Sequence, residues 1–175
     1  MDDLLSEVKI IVPQKFADTR GSMRINEFST LLPPYVPLQV NSTISWKKGT
    51  LRGLHYQAQP FEQAKYVICT MGSVLSAAVD IRKDSPTFGK YKSEVLSAAD
   101  GLAMYIPKGF AHGYLTLEDN CMLQYYVDNH FSPEHAKCLR YDDSDIGINW
   151  SIGELSMEKF IVSDKDKNGL FLKDL

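Results

Sequence analysis

The sequence predicts an all-β fold, and three features of the chain carry this prediction. Short runs rich in β-branched and aromatic residues dominate, and helical periodicity is weak almost everywhere. Tight-turn signals separate the runs, among them Met71-Gly72-Ser73, Asp100-Gly101 and Pro107-Lys108-Gly109. Many short strands at a spacing of about 8–12 residues are typical of a sandwich or barrel, and a double-sheet jelly roll is one such solution.

Nine segments carry the strand pattern. In chain order they are residues 8–12, 38–45, 50–57, 64–70, 74–81, 90–96, 102–106, 112–117 and 121–127. The two ends differ from this pattern. Residues 26–34 are compatible with a short helical turn, and residues 150–175 read as a mainly irregular polar tail with a charged loop at 163–169. We therefore expect short helical turns near the termini.

The length of 175 residues predicts a single domain, residues 1–175, with a core large enough to fold without a disulfide or a structural metal. The net charge of −3 argues against a nucleic-acid-binding surface. There is no apolar run of about 18 residues, so no membrane span is expected. The N-terminal stretch lacks a signal-peptide pattern, and the three cysteines contain no CxxC pair. These features predict a cytoplasmic protein with reduced thiols.

Two of the four histidines lie in strand-like, partly apolar surroundings. In the predicted strand 50–57, His55 stands three residues after Arg52, which a strict alternation would place on the other face. Gly53 lies between them and would permit a β-bulge that redirects one of the two side chains. Taken alone, His55 fits a hydrogen-bonded core histidine as well as a functional one.

The second of these histidines ends a Pro-x-Gly-x-x-His turn, residues 107–112, that resembles the second sequence motif of the cupin superfamily. In metal cupins this histidine is a ligand, and the first motif supplies His-x-His and a glutamate. Here that stretch reads His55-Tyr56-Gln57. His55 and His112 with the distant Glu62 make a poor transition-metal set, so no metal and no other cofactor are expected.

Lys65 and Tyr125 complete the candidate chemistry. If Lys65 points inward with Val67 and Cys69, it suggests a ligand, because lysines are almost never fully buried unpaired. A lysine at the barrel mouth that reaches water is the more common case, and strand tyrosines usually just pack. Together, however, an imidazole, a lysine, an arginine and a phenol suit proton abstraction beside a carbonyl, with a base, an enolate stabiliser and an acid.

Several longer segments are similar, in the same order, to the dTDP-4-dehydrorhamnose 3,5-epimerase family, whose members are cupin-type jelly rolls (double-stranded β-helices). These segments are residues 51–57, 63–65, 78–89, 106–113, 142–150 and 163–166. The resemblance implies a homodimeric isomerase that inverts carbon 3, carbon 5 or both of a nucleotide-linked 4-keto-6-deoxyhexose, with dTDP-4-dehydro-6-deoxyglucose as the expected substrate. It also implies a place in dTDP-rhamnose biosynthesis, and so in lipopolysaccharide or O-antigen biosynthesis.

The resemblance assigns roles to individual residues. His55 matches the general base, Asp166 the carboxylate paired with it, Lys65 the lysine near the keto oxygen, and Tyr125 the general acid. The matched substrate-binding residues are Arg20, Gln39, Asn41, Arg52, His112 and Phe131. Of these, the arginine of the Asp-x-Arg-Gly motif contacts the nucleotide diphosphate, often across the dimer, and the aromatic residue stacks on the nucleobase.

The chain departs from the family pattern in three places. Residues 22–27 replace the aromatic residues that usually follow Asp-x-Arg-Gly, Tyr126 replaces a frequent lysine, and Ala136 and Lys137 alter the usual Pro-x-x-Glu position. These changes leave open a mono-epimerase acting on another nucleotide or on a dideoxy 4-keto sugar. Two more distant alternatives are a metal-dependent cupin enzyme and a non-catalytic sugar-nucleotide-binding module, although a mere binder has no need of a base and an acid together.

Overall fold

Antiparallel strands make up most of the protein, for which a computed structural model describes residues 5–28 and 35–175. Within those residues the strands are β1 (Lys9–Ile11), β2 (Gln14–Asp18), β3 (Gly21–Ile25), β4 (Gln39–Ser45), β5 (Thr50–Gln57), β6 (Lys65–Met71), β7 (Ser73–Asp80), β8 (Tyr91–Ser97), β9 (Ala103–Ile106), β10 (Phe110–Thr116), β11 (Cys121–Val127), β12 (Ala136–Cys138) and β13 (Ile161–Val162). One short helix, α1 (Asp164–Lys167), and two 3-10 turns, Met157–Lys159 and Leu172–Asp174, lie near the C-terminal end.

Two antiparallel sheets form the jelly roll. The first has the strand order β1-β9-β6-β11-β4, and the second has the order β12-β5-β10-β7-β8, with β13 added in parallel to β5. Strands β2 and β3 form a separate hairpin. Inward-facing residues of both sheets, such as Val67 and Leu123 from one and Ala78 and Phe110 from the other, share one core cluster. The predicted all-β fold is confirmed.

A second core covers the outer face of the second sheet. Leu54, Val79 and Leu115 from the sheet pack there against Trp150 and Leu172 from the C-terminal part of the chain. Residues 150–175 contain little regular structure, as the sequence indicated, but several of their side chains pack on the sheet. Some apolar side chains of this segment are exposed, but Trp150 and Leu172 are buried against the sheet. They dock the segment there, which places α1 beside β5.

All nine predicted strands exist, and those at 50–57 and 121–127 match to the residue. The sequence patterns missed β2, β3, β12 and β13. The hairpin strand β2 is exposed along its whole length, and β12 and β13 have only three and two residues, so none shows a burial alternation. Residues 26–28 contain no helix, and the rest of the predicted turn at 26–34 lies outside the described residues. No helix in the described ranges is long and apolar enough to cross a membrane.

A buried carboxylate anchors the loop between β7 and β8. Asp80 is completely buried and accepts hydrogen bonds from Arg82 Nε (2.9 Å), Ser85 Oγ (2.5 Å) and Thr87 Oγ1 (2.6 Å). Burial alone would raise the pKa of Asp80, but these donors together outweigh it and hold the pKa below its ordinary value. Asp80 is therefore ionised in the folded protein well into the acid range.

This arrangement predicts a specific acid sensitivity. The pKa of Asp80 is lower in the folded protein than in the unfolded chain. Its contribution to the free energy of unfolding is therefore complete above the unfolded-state pKa of about 3.9, and it is lost as the pH falls toward the folded-state pKa. Asp80→Asn is expected to lower the free energy of unfolding by about 1–3 kcal/mol at pH 7 and to flatten its decline below pH 4. Urea unfolding at several pH values measures both effects.

A control for this prediction is Asp142→Asn, because Asp142 also pairs with an arginine two residues away, Arg140, but at a partly exposed site. It should cost less at pH 7 and should leave the acid limb of the curve unchanged. If both variants lost the same free energy of unfolding and showed the same pH dependence, the proposed role of the buried Asp80 carboxylate would be contradicted.

Candidate active site

A cavity of about 300 Å³ opens between the two sheets and gathers most of the predicted site residues. Strands of the first sheet supply Asn41, Lys65 and Tyr125, and β5 and β10 of the second supply Arg52, His55 and His112. Phe131 also lines the cavity, and Asp166 lies behind His55. Residues that are distant in sequence thus converge because the two sheets face each other.

His55, backed by Asp166, forms one wall of the cavity. His55 Nε2 lies 2.8 Å from Asp166 Oδ1, and Asp166 Oδ2 accepts a hydrogen bond from the backbone N–H of Gly53 at 3.0 Å. Burial opposes ionisation of Asp166, but the hydrogen bond and charge of His55 and the Gly53 N–H outweigh it and lower the pKa of Asp166. The carboxylate is therefore ionised and orients an imidazole whose side chain remains 42% exposed.

The backbone at Gly53 explains how Arg52 and His55 both reach the cavity. Gly53 has a φ of +129°, and a Cβ there would lie 2.5 Å from the Cα of Gly113 on β10. The pairing register of β5 and β10 shifts at this point, between His112 and Tyr114. The irregularity expected at Gly53 is therefore present, and only glycine permits the close approach of the two strands.

Lys65 points inward on β6 and is buried with Val67 and Cys69, as the inward alternative predicts. Its Nζ donates a hydrogen bond to the backbone carbonyl of His55 at 3.0 Å. Burial lowers the pKa of Lys65 to about 8, so the ammonium is still mostly charged at neutral pH. A desolvated cation in this position can stabilise a negative oxygen on a bound ligand.

His112 lies deeper in the cavity and is nearly inaccessible. Its Nε2 lies 2.9 Å from Ser76 Oγ. Burial, and then the charges of Lys65 and His55, hold the pKa of His112 well below its ordinary value. His112 is therefore a neutral imidazole that can position a substrate by hydrogen bonding.

Tyr125 approaches from the opposite sheet, on β11. Its ring packs edge-on against His112, with centroids 5.7 Å apart. Burial and the nearby Tyr114 raise the pKa of Tyr125 well above its ordinary value, against the opposing effect of Thr43. The phenol therefore keeps its proton at neutral pH and is available as a proton donor.

The sequence interpretation missed several residues of the cavity. Tyr114 is fully buried and its hydroxyl lies 3.1 Å from both Thr43 Oγ1 and Ser45 Oγ. Lys137 and Lys165 lie at the exposed rim. Strand alternation places Tyr114 on the same face as His112, so the sequence could have predicted that Tyr114 lines the cavity. No such pattern exists for the two rim lysines, because the segments around them are irregular or very short.

A loop beyond β11 presents the aromatic ring of Phe131, which is 56% exposed. Gln39 Oε1 accepts a hydrogen bond from the backbone N–H of Phe131 at 3.1 Å, and Gln39 Nε2 donates to Asn41 Oδ1 at 2.6 Å. On the other side, Gln57 Oε1 accepts from the N–H of Ser132 at 2.7 Å. These side chains hold the ring at the cavity mouth.

Arg20 is the one predicted site residue that the single chain does not bring near the others. It lies at the exposed turn of the β2–β3 hairpin, where it pairs with Asp18 at 2.6 Å, and it does not line the cavity. Within one chain, therefore, Arg20 and the cavity are separate features.

The metal set considered from the sequence is not assembled. Glu62 does not line the cavity, and the Nε2 of His112 is engaged by Ser76. A different group in the described residues offers three ligand atoms within 4.8 Å of one another, from His55, Cys138 and Asp166. Two of these atoms already form the histidine–aspartate pair.

The cavity is cationic. Arg52, Lys65, Lys137 and Lys165 line it, and no carboxylate of the described ranges does so. An oriented imidazole on one wall, a protonated phenol on the other and a surplus of positive charge suit an anionic, proton-exchanging substrate. Fold and site together define an acid–base isomerase built on a jelly roll.

Comparisons with known proteins agree with this class. The family described as dTDP-4-dehydrorhamnose 3,5-epimerase matches residues 3–174. The enzyme of that name from Sinorhizobium fredii is 40% identical over 168 residues, which cover 94% of this chain and 84% of the relative. The chain belongs to the dTDP-4-dehydrorhamnose 3,5-epimerase family, and it is an isomerase.

Two solved structures have the same fold. The dTDP-6-deoxy-D-glucose-3,5-epimerase from Legionella pneumophila, in complex with dTDP-4-keto-L-rhamnose, aligns with a TM-score of 0.87 and 36% identity over 95% of this chain and 88% of that one. The 3'-monoepimerase ChmJ from Streptomyces bikiniensis, in complex with dTDP-quinovose, aligns with a TM-score of 0.83 and 30% identity over 95% and 84%. The expected cupin-type fold is confirmed.

Proposed function

We propose that this chain epimerises a nucleotide-linked 4-keto-6-deoxyhexose, with dTDP-4-dehydro-6-deoxyglucose as the substrate, at carbon 3, carbon 5 or both. The observation that carries the proposal is the placement of His55 and Tyr125 on opposite sheets across one cavity. Inversion of a carbon needs a base on one face of the sugar and an acid on the other. A binding module would need neither.

His55 is the base in this reaction. Because Nε2–H of His55 donates its hydrogen bond to the Asp166 carboxylate, the lone pair of Nδ1 is free to take a proton from the carbon next to the 4-keto group. The electron pair of the broken C–H bond moves to the keto oxygen and forms an enolate. Lys65, positively charged and desolvated, stabilises that oxygen.

Tyr125 completes the inversion. It donates its phenolic proton to the enolate carbon from the face opposite His55, and the carbonyl re-forms with the configuration reversed. Proton transfer from the imidazolium, through water in the cavity, then restores the phenol and the free imidazole. The same cycle at the second carbon gives double epimerisation. The keto group already acidifies both carbons. His55 and Tyr125 therefore carry out each proton transfer, with Asp166 orienting the base and Lys65 stabilising the enolate.

The cavity rim suits the nucleotide diphosphate. Lys137, Lys165 and Arg52 supply positive charge there, and the exposed ring of Phe131 offers a surface on which a nucleobase can stack. The preference for thymidine is the family's, and residues 22–27, which differ from the family pattern after Asp-x-Arg-Gly, are the positions that leave this preference open here.

The proposed assembly is a homodimer in the cytoplasm that serves dTDP-rhamnose supply for lipopolysaccharide or O-antigen. Phe16, Met23, Val40 and Trp46 are large apolar side chains that the single chain leaves exposed, and covering them would favour self-association. A second copy would also let Arg20 reach the diphosphate of a neighbouring cavity. Sedimentation velocity tests the assembly, and a monomer at all concentrations would contradict it.

Deuterium incorporation tests the reaction. The purified protein, treated with a chelator, is incubated in deuterium oxide with dTDP-4-dehydro-6-deoxyglucose, and carbons 3 and 5 are followed separately by NMR. Exchange at both carbons supports 3,5-epimerisation, and exchange at one supports the mono-epimerase alternative. No exchange with dTDP-, CDP- or GDP-linked 4-keto sugars would overturn the proposal.

A further inference from the structure

A cysteine that the epimerase mechanism does not use lies against the histidine–aspartate pair. Cys138 on β12 is directly opposite His55 on β5, so the two side chains share a face of the sheet. The Cys138 thiol is buried and lies 3.7 Å from Asp166 Oδ1. Sγ, one imidazole nitrogen of His55 and one carboxylate oxygen of Asp166 all lie within 4.8 Å of one another.

We propose that His55, Cys138 and Asp166 form a binding site for a thiophilic divalent metal ion, with Zn²⁺ as the natural candidate, and that occupation of this site inhibits the enzyme. Sulfur, nitrogen and oxygen ligands in this combination suit zinc, which binds them at about 2.0–2.3 Å. Around a tetrahedral ion these lengths place ligand atoms about 3.3–3.7 Å apart. Two of the present separations are 2.8 Å and 3.7 Å, and the third is no more than 4.8 Å, so modest side-chain shifts would bring the three atoms to that range.

His55 is the member of this site that lines the cavity, whereas Cys138 and Asp166 are buried behind it. A water molecule would complete the coordination of the ion. Arg52, Lys65 and Lys165 surround the entrance. Their positive charges disfavour binding of any cation. The thiolate of Cys138 offsets this repulsion for a thiophilic ion but not for a hard ion such as Mg²⁺, which binds thiolates poorly.

Metal binding would block proton abstraction for a definite reason. The ion displaces the proton from His55 Nε2, and the imidazole then carries its proton on Nδ1. The lone pair that would accept the substrate proton is thereby removed. Cys138 loses its thiol proton to solvent on coordination, since a thiol bound to zinc is deprotonated. One proton is released for each metal ion bound.

Direct binding is tested with Co²⁺ as a spectroscopic substitute for Zn²⁺. A cobalt–thiolate bond gives a near-ultraviolet charge-transfer absorption, which Zn²⁺ should abolish by displacement. We expect the band in the intact protein, its loss in Cys138→Ala, and its retention in the double variant Cys69→Ala/Cys121→Ala. An absent band, or a band that survives in Cys138→Ala, would overturn the proposal.

A second variant keeps the test decisive if Cys138→Ala folds poorly. His55→Ala removes a partly exposed side chain and should weaken Co²⁺ binding at least about tenfold, measured by equilibrium dialysis. Unchanged affinity in this variant would contradict the site. Neither binding measurement depends on enzyme activity.

The inhibition rests on the proposed function and is measured separately. Zn²⁺ is titrated into the deuterium-exchange reaction, and each protein is compared with its own metal-free rate. Cys138→Ala should need at least about tenfold more Zn²⁺ for half inhibition, and a chelator should restore the original rate. Equal zinc sensitivity would overturn the inhibitory role. A protein that shows the cobalt band but no exchange without metal would retain the site and lose the proposed function.

Discussion

Replacement of His55 by asparagine is expected to lower the epimerisation rate by about 10²–10⁴-fold. Asparagine keeps a polar side chain in the cavity but has no lone pair basic enough to remove a carbon-bound proton. Deuterium exchange into the substrate should fall with product formation, because both require the first proton transfer. The measurement is single-turnover product formation with parallel NMR detection of exchange.

His130→Asn is the control for this substitution, since the His130 side chain is exposed and does not line the cavity. It should retain the rate of the unmodified protein. Asp166→Asn is a second probe, because an amide can donate a hydrogen bond to Nε2 and so hold the proton on Nδ1, where it blocks the base. A near-normal rate in His55→Asn would remove His55 from the mechanism.

Replacement of Tyr125 by phenylalanine is expected to separate the two halves of the reaction. Product formation should fall by about 10²–10⁴-fold, because the enolate loses its proton donor on the far face. Exchange of the substrate hydrogen should survive in part, since His55 can return a deuteron to the face from which it took the proton. The ratio of exchange to product, read by NMR, should therefore rise.

Tyr126→Phe provides a matched control on the same strand. Tyr126 follows Tyr125 directly but packs in a separate cluster with Tyr66 and Tyr105, and its hydroxyl bonds to Gln124. Its removal should leave the ratio unchanged. Equal losses of exchange and product in Tyr125→Phe would exclude a pure acid role for that residue.

Much of the β framework follows from local sequence. Alternating apolar residues bounded by glycine, proline and polar turns predicted the central strands, and β5 and β11 were located to the residue. The hairpin β2–β3 escaped the same reasoning because its strands are exposed and so lack an apolar face. The C-terminal segment escaped it because a few buried apolar residues, such as Trp150 and Leu172, suffice to dock it on the sheet.

The candidate site divides in the same way. The sequence by itself determined that His55, Lys65, His112 and Tyr125 lie on strands, and its resemblance to a family implied their roles. Only the tertiary structure decided which of them meet. Asp166 is 111 residues from His55 yet within a hydrogen bond of it, and Cys138 joins the pair from a third segment. Local patterns determine which face of a strand a side chain occupies, whereas burial of apolar surface determines which faces come together.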